Sequence, residues 1–134
     1  AKELRATQVR GRAPLTPHLA TALLAAREAG KVILDGVFND VKDLDAFRDE
    51  CVQGAQMGFD GKTLIHPSQV EIANDVWAPT ADEVDYAQRV IAAFEEATAD
   101  GRGVITVDGR MIENLHVDNA RRVLAVQAAI ESLS

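Results

Sequence analysis

The sequence predicts an α/β fold: helix, strand, helix, strand, helix over residues 18–76, then a helix–hairpin–helix tail. Three observations carry this. Lys31–Val37 (KVILDGV) is a short apolar run without alternation, which suits a strand buried on both faces of an α/β sheet. Lys62–Ile65 is a second such run, and it passes straight into a helix through His66-Pro67. A strand-to-helix junction of this kind is where α/β proteins place ligand-binding groups. The segments before, between and after these runs repeat apolar residues at helical spacing. Right-handed crossovers then make the two strands parallel and open both following loops at one C-terminal edge. Two strands make a poor sheet, so further strands are expected upstream or in another chain.

The opening AKELRATQVRGRAP has no initiator Met, no signal-peptide pattern and no first strand. It reads as the end of a helix already under way, and the expectation is a longer protein. Pro14 and Pro17 mark a loop, with Thr16 as a cap and Pro17 at N1 of a helix from His18 to Ala29. Leu19, Leu23 and Ala26 share one face of that helix, and Gly30 stops it. Asp43 or Asp45 starts the next helix, which runs to about Met57 with Leu44, Phe47, Cys51, Val52 and Ala55 inward and Gly58 as its end. Gly58 and Gly61 bracket a turn, and Pro67–Asp75 form a helix with Val70, Ala73 and Ile72 inward.

Past Trp77 the pattern changes. Thr80 and Glu83 have capping-box spacing ahead of a helix over Ala81–Ala99, with Val84, Ala87, Val90, Ile91 and Phe94 on one face. Asp100–Gly103 is a turn. Val104–Val107 and Arg110–Ile112 form a tight hairpin around Asp108-Gly109, of type I′ character. A final helix starts at Asn114 or Asp118 and runs to about Leu133, with Val117, Ala120, Val123, Leu124, Gln127 and Ile130 along it. The division is therefore 1–77 and 78–134.

Charge narrows the function classes. The 134 residues carry 21 acidic and 14 basic side chains, a formal net charge of −7, which disfavours nucleic acid and anionic membranes as partners but allows a local basic pocket. No apolar stretch approaches a bilayer span. The single cysteine, Cys51, excludes an internal disulfide and reads as a small buried filler in mid-helix. The cytoplasm is the default compartment.

Three groups are candidates for chemistry. Asp35 is charged inside an apolar strand, so it must sit at the strand's mouth or be hydrogen-bonded there; it is a site residue or a solvated strand end. Gly36 permits close approach of a ligand, and Asn39 and Asp40 make a loop or an Asx turn. His66 precedes a Pro-started helix whose first N–H groups favour an anion. It has no His or Cys at ligand spacing, which argues against zinc; His18 and His116 read as surface or capping residues. Glu113 is either an ordinary first-turn acid or a catalytic acid or base displayed by the tail.

The blocks KVILDGVFND, GFDGKTLIHPSQVEIAN and VDGRMIENLHVDNARRVLA resemble the C-terminal part of the CitE-like branch of the HpcH/HpaI aldolase superfamily, over nearly the whole chain. That branch holds citrate lyase β subunits, malyl-CoA and β-methylmalyl-CoA lyases and malyl-CoA thioesterase. The resemblance implies the C-terminal portion of a (β/α)8 TIM barrel, with Val32–Asp35 and Thr63–Ile65 as its last two strands. The tail at 78–134 would cover a neighbouring subunit's active site in a homo-oligomer, a trimer or hexamer.

It also implies Mg²⁺ held by a Glu and an Asp on earlier strands, outside this chain, so that the chain alone is inactive. It places Asp35, Gly36, Val37, Asn39, Asp40, Ile65 and His66 at the rim that binds a CoA thioester. Glu113 falls where lyases of the family carry an Asp as catalytic acid or base. The implied activity is cleavage of a malyl-, β-methylmalyl- or citryl-type CoA ester to a carbonyl acid and an acyl-CoA. Glu113 departs from the lyase Asp by one methylene, and ENLH resembles the thioesterase-like members, so CoA-thioester hydrolysis is the second expectation. A non-catalytic assembly role is the third.

Overall fold

The two apolar runs do meet as a parallel pair, β1 (Leu34–Asp35) and β2 (Gly61–Lys62), in register Leu34↔Gly61 and Asp35↔Lys62. They are seen in a computed structural model that describes residues 3–101 and 104–133. The pairing extends by single bonds, from Asp60 N–H to the Ile33 carbonyl and from Thr63 N–H to the Asp35 carbonyl, each 3.0 Å. Both strands are shorter than the runs that announced them, and β2 lies earlier than the Lys62–Ile65 expected. The cause is local: Ile65 N–H is taken by the Gln69 side chain at 3.0 Å and so leaves the ladder. Gly61 is thus a strand residue, where a Cβ would stand 3.2 Å from Leu34 Cδ2. Burial on both faces is not seen either. Val32 and Leu34 are exposed, because among the described residues β1 has a single strand neighbour.

The chain forms two compact units, Ala1–Trp77 and Ala78–Ser134. In the first, the expected opening helix is absent from the described residues, which show a turn at 3–5 and a 3-10 segment at Arg10–Leu15. That segment is broken by positive φ at Gly11 and at Arg12 (φ 57°). A non-glycine residue there is strained, and Arg12 is held by its side-chain bonds, described below. Helix α1 spans Thr16–Glu28 with Pro17 in its first turn. Thr16 does not cap it. Leu15 does so by position, and the Thr16 hydroxyl donates instead to the Arg12 carbonyl.

Helix α2 (Leu44–Met57) begins at Asp43, whose carboxylate accepts from Ala46 N–H at 2.9 Å, and ends at Gly58 in the left-handed region (φ 101°) that glycine alone enters without penalty. Its buried face is Ala46, Phe47, Cys51 and Gly54; Val52, expected inside, is exposed. A 3-10 turn (Pro67–Gln69) leads into α3 (Val70–Trp77), where Ala73 is buried and Val70 is exposed, again against expectation. Phe47, Cys51 and Ala73 form the core with Phe38, Leu64, Ile72, Val76 and Trp77 packed on them. The rings of Phe38 and Phe47 are tilted at 5.7 Å, and Trp77 Nε1–H donates to the Phe59 carbonyl at 2.9 Å.

The second unit follows its sequence closely. Helix α4 (Ala81–Ala99) opens with the expected capping box: Glu83 N–H donates to Thr80 Oγ1, and Thr80 N–H to the Glu83 carboxylate. Those Thr80 bonds hold the Glu83 carboxyl below its usual range. Strands β3 (Ile105–Val107) and β4 (Arg110–Ile112) pair antiparallel through Asp108 (φ 51°) and Gly109 (φ 73°), the two positive values of a type I′ turn. Of the turn expected at Asp100–Gly103, Arg102 and Gly103 lie outside the described residues. Helix α5 (Asn114–Ser132) takes Glu113 as its N-cap. Ala87, Val90, Val107, Ile112, Val117 and Ala120 form this unit's core; Ile130 lies exposed.

Candidate functional site

Loop 36–43 follows β1 and opens onto a cleft of about 620 Å³ in the first unit. Asp35, Gly36, Val37, Asn39 and Asp40 all line it, facing Arg12 and Glu50 among others. Gly36, Val37, Asn39 and Asp40 are exposed, and Asp40 closes an Asx turn by accepting from Lys42 N–H at 3.2 Å.

Asp35 differs from its neighbours. It is 0 % exposed, and its carboxylate is surrounded by donors. Arg12 Nη1 lies 2.7 and 2.9 Å from its two oxygens, Lys62 Nζ 2.9 Å from Oδ2, and Gly36 N–H 2.8 Å from Oδ1. Lys62, whose side chain is also fully buried, donates a second bond to Glu50 Oε1 at 2.8 Å. Arg12 Nε donates to Gln53 Oε1 at 2.9 Å and pairs with Glu50 at 3.5 Å, while Gln53 Nε2–H reaches the Gly11 carbonyl at 2.8 Å. Two cations and two anions thus balance in a buried cluster. Burial pushes the Asp35 carboxyl up, but the bonds from Arg12 and Lys62 and their charges outweigh it and hold it below its ordinary 3.8.

A depressed native value means that the unfolded state binds the proton first. This stabilisation is therefore complete above about pH 4 and is lost as pH falls through the lowered native value. Asp35→Asn is expected to flatten the acid limb of the stability curve below about pH 4, read by chemical denaturation at several pH values.

Helix α2 is shaped to fit this cluster. A Cβ on Gly54 would stand 2.9 Å from Asp35 Oδ2 and 3.5 Å from Trp77 Cζ2. Gly→Ala in a helix interior ordinarily gains about 0.5–1 kcal/mol. Here the oxygen is fixed by Lys62 and Arg12, so overpacking at about 1–3 kcal/mol prevails. Gly54→Ala is expected to lower the urea midpoint rather than raise it.

The neighbouring junction contributes differently. His66 caps the 3-10 turn: its Nδ1 accepts from Ser68 N–H at 3.2 Å and lies 2.8 Å from Ser68 Oγ. Gln69 N–H bonds the His66 carbonyl, and Val70 N–H the Pro67 carbonyl. The N–H groups expected to receive an anion are thus spent internally. In a neutral ring with Nδ1 accepting, the proton sits on Nε2. Ile65 and His66 are exposed but do not line the cleft.

Glu113 belongs to the second unit. It is exposed at the N-cap of α5, held between buried Ile112 and Val117. Its N–H donates to His116 Nδ1 at 2.9 Å, so His116 is a capping residue. His18 is exposed in the first turn of α1. Cys51 is buried, and burial pushes its thiol up to about 11, which keeps it protonated and unreactive at neutral pH.

The described residues do not fit Mg²⁺. They contain no group of three or more His, Cys, Asp or Glu side chains able to hold a metal ion. The carboxylates of Asp35 and Glu50 are already neutralised by Lys62 and Arg12. Among the described residues the buried polar side-chain atom without a partner is Arg12 Nη2, a cationic donor that would repel a metal.

Lys62, Glu50, Arg12, Gln53 and Gln69 were not singled out from the sequence. The one signal for Lys62 and Arg12 was Asp35 itself, since a carboxylate in an apolar strand demands cations nearby.

The chain belongs to the C–C bond lyases of the TIM-barrel fold, whose family model matches residues 13–130. Within it, the chain is a CitE-like member of the HpcH/HpaI superfamily. It is 53% identical over 130 residues to a (3S)-malyl-CoA thioesterase of Cereibacter sphaeroides, covering 97% of this chain and 46% of the relative. It is 46% identical over 107 residues to the citrate lyase subunit β of Leuconostoc mesenteroides subsp. cremoris, covering 80% and 35%. The chain thus spans about half the length or less of the curated relatives it matches. Among solved structures, CitE from Mycobacterium tuberculosis, in complex with magnesium, acetoacetate and coenzyme A, superposes with a TM-score of 0.69 at 28% identity, over 90% of this chain and 45% of that one. Among the described residues no helix is long and apolar enough to cross a membrane.

Proposed function

We propose that this chain supplies the last two strands of a (β/α)8 barrel and a helical arm to an enzyme that hydrolyses a malyl-CoA-type thioester to the free acid and coenzyme A. The observation that carries this is the match to the malyl-CoA thioesterases, which is higher in identity and longer than the match to the citrate lyase β subunits. Gly36, Val37, Asn39 and Asp40 then hold the CoA ester at the cleft, and Ile65 and His66, exposed on the neighbouring loop outside the cleft, hold a further part of it, while Asp35 fixes the first loop from beneath. Glu113 acts as general base. It takes a proton from water as the water oxygen attacks the thioester carbonyl; the C–S bond then breaks, and the proton leaves with the coenzyme A thiol. Arm 78–134 delivers Glu113 to a neighbouring copy in a homo-oligomer, and the cytoplasm is the compartment we propose for it. The metal chemistry belongs to residues other than those described.

Carbon–carbon cleavage of the same ester is the second reading, favoured by the family's lyase description and by the acetoacetate and coenzyme A in the M. tuberculosis complex. Release of free thiol from malyl-CoA by the complete protein, matched by malate, supports hydrolysis. Turnover without free thiol speaks against it.

A further inference from the structure

Gln69 joins the two rim segments. Its side chain is 0 % exposed. Its Nε2–H donates to the Phe38 carbonyl at 3.0 Å, and its Oε1 accepts from Ile65 N–H at 3.0 Å. Phe38 lies inside the loop after β1, between Val37 and Asn39; Ile65 lies in the loop after β2, beside His66. One amide thus spans neighbouring loops 31 and 4 residues away along the chain. One N–H of its amide nitrogen and its carbonyl oxygen are each used on a backbone group that the strand ladder leaves unpaired. No other uncharged side chain of similar size offers a donor and an acceptor in this arrangement. The anchor is firm on both sides, because the Phe38 ring packs on buried Phe47 and the Gln69 backbone is held in the 3-10 turn by the His66 carbonyl.

We infer that Gln69 is a positioning residue that sets the spacing between loop 36–40 and the Ile65–His66 junction, and through that spacing the grip on the CoA ester. This rests on the site proposed above. The grip is uniform binding of a part of the substrate remote from the reacting bond, so its loss raises KM and leaves kcat in place.

The test uses the complete protein with Gln69→Leu and Gln69→Glu, with malyl-CoA kinetics and calorimetric binding of coenzyme A as readouts. Gln69→Leu is expected to raise KM and the Kd for coenzyme A about tenfold to a hundredfold, with kcat within about twofold of the parent, since loop displacements of an ångström act at that scale. Gln69→Glu adds a readout within one folded protein. Its protonated carboxyl can donate to the Phe38 carbonyl, whereas its carboxylate can only repel it. KM relative to the parent is therefore expected to climb as pH rises through the titration of the buried acid, which burial moves upward. A purely structural Gln69 would lower the melting temperature of both variants and leave KM alone. Parent-like KM in folded Gln69→Leu, or a pH-independent KM ratio in Gln69→Glu should the leucine variant not fold, overturns the inference. A parent that neither binds coenzyme A nor turns over malyl-CoA overturns the site itself, which is a separate result.

Discussion

Replacing Lys62 by methionine is expected to destabilise the protein by about 3–5 kcal/mol, the cost of breaking a buried ion pair from one side. Methionine fills most of the volume, so the loss is electrostatic and not a cavity. What remains is a fully buried Asp35 sharing Arg12 with Glu50, a cluster with one negative charge in excess. Because Arg12 and Gly36 N–H still hold Asp35, the lower end of the range applies. The urea midpoint at unchanged slope reports it. Adding Glu50→Gln restores balance, the two changes together removing one charge of each sign and leaving Arg12 paired with Asp35. The double variant is expected to be more stable than the sum of the two single losses by about 0.5–3 kcal/mol. Additive losses would mean that the four groups do not act as one cluster.

The largest expected effect on turnover is at Glu113. Glutamine keeps its shape but cannot take a proton, so Glu113→Gln is expected to lower kcat by about 10²–10⁴-fold with little change in KM. The side effect on folding is small, since Glu113 is an exposed N-cap and its loss costs at most about 1–2 kcal/mol. A thermal melt separates the two effects. Full turnover by Glu113→Gln would remove the residue from the chemistry.

Helices α2 and α4 and the hairpin were legible because each has local instructions. Thr80 and Glu83 cap α4, Asp43 and Gly58 bound α2, and Asp108-Gly109 force the type I′ turn, all within four residues of the atoms they bond. The end of β2 was not legible. Apolar character continues through Leu64 and Ile65, yet the ladder stops because a glutamine side chain takes the Ile65 N–H. The site was legible in part. Asp35 announces a buried charge, but its partners lie 23 and 27 positions away, on a left-handed arginine and on the facing strand, and no periodicity points to them. The N–H groups after Pro67 were expected to favour an anion, whereas Ser68 N–H bonds His66 Nδ1 and Gln69 N–H bonds the His66 carbonyl. Gln69 carries no local signal of its role; only the closeness of the two loops gives it two partners.

Product identity in isotopically labelled water separates hydrolysis of the thioester from carbon–carbon cleavage. With the complete protein and malyl-CoA, hydrolysis gives malate carrying one labelled oxygen in its new carboxylate, in amounts equal to free coenzyme A. Glyoxylate and acetyl-CoA as the main products, without free coenzyme A and without labelled malate, would contradict hydrolysis.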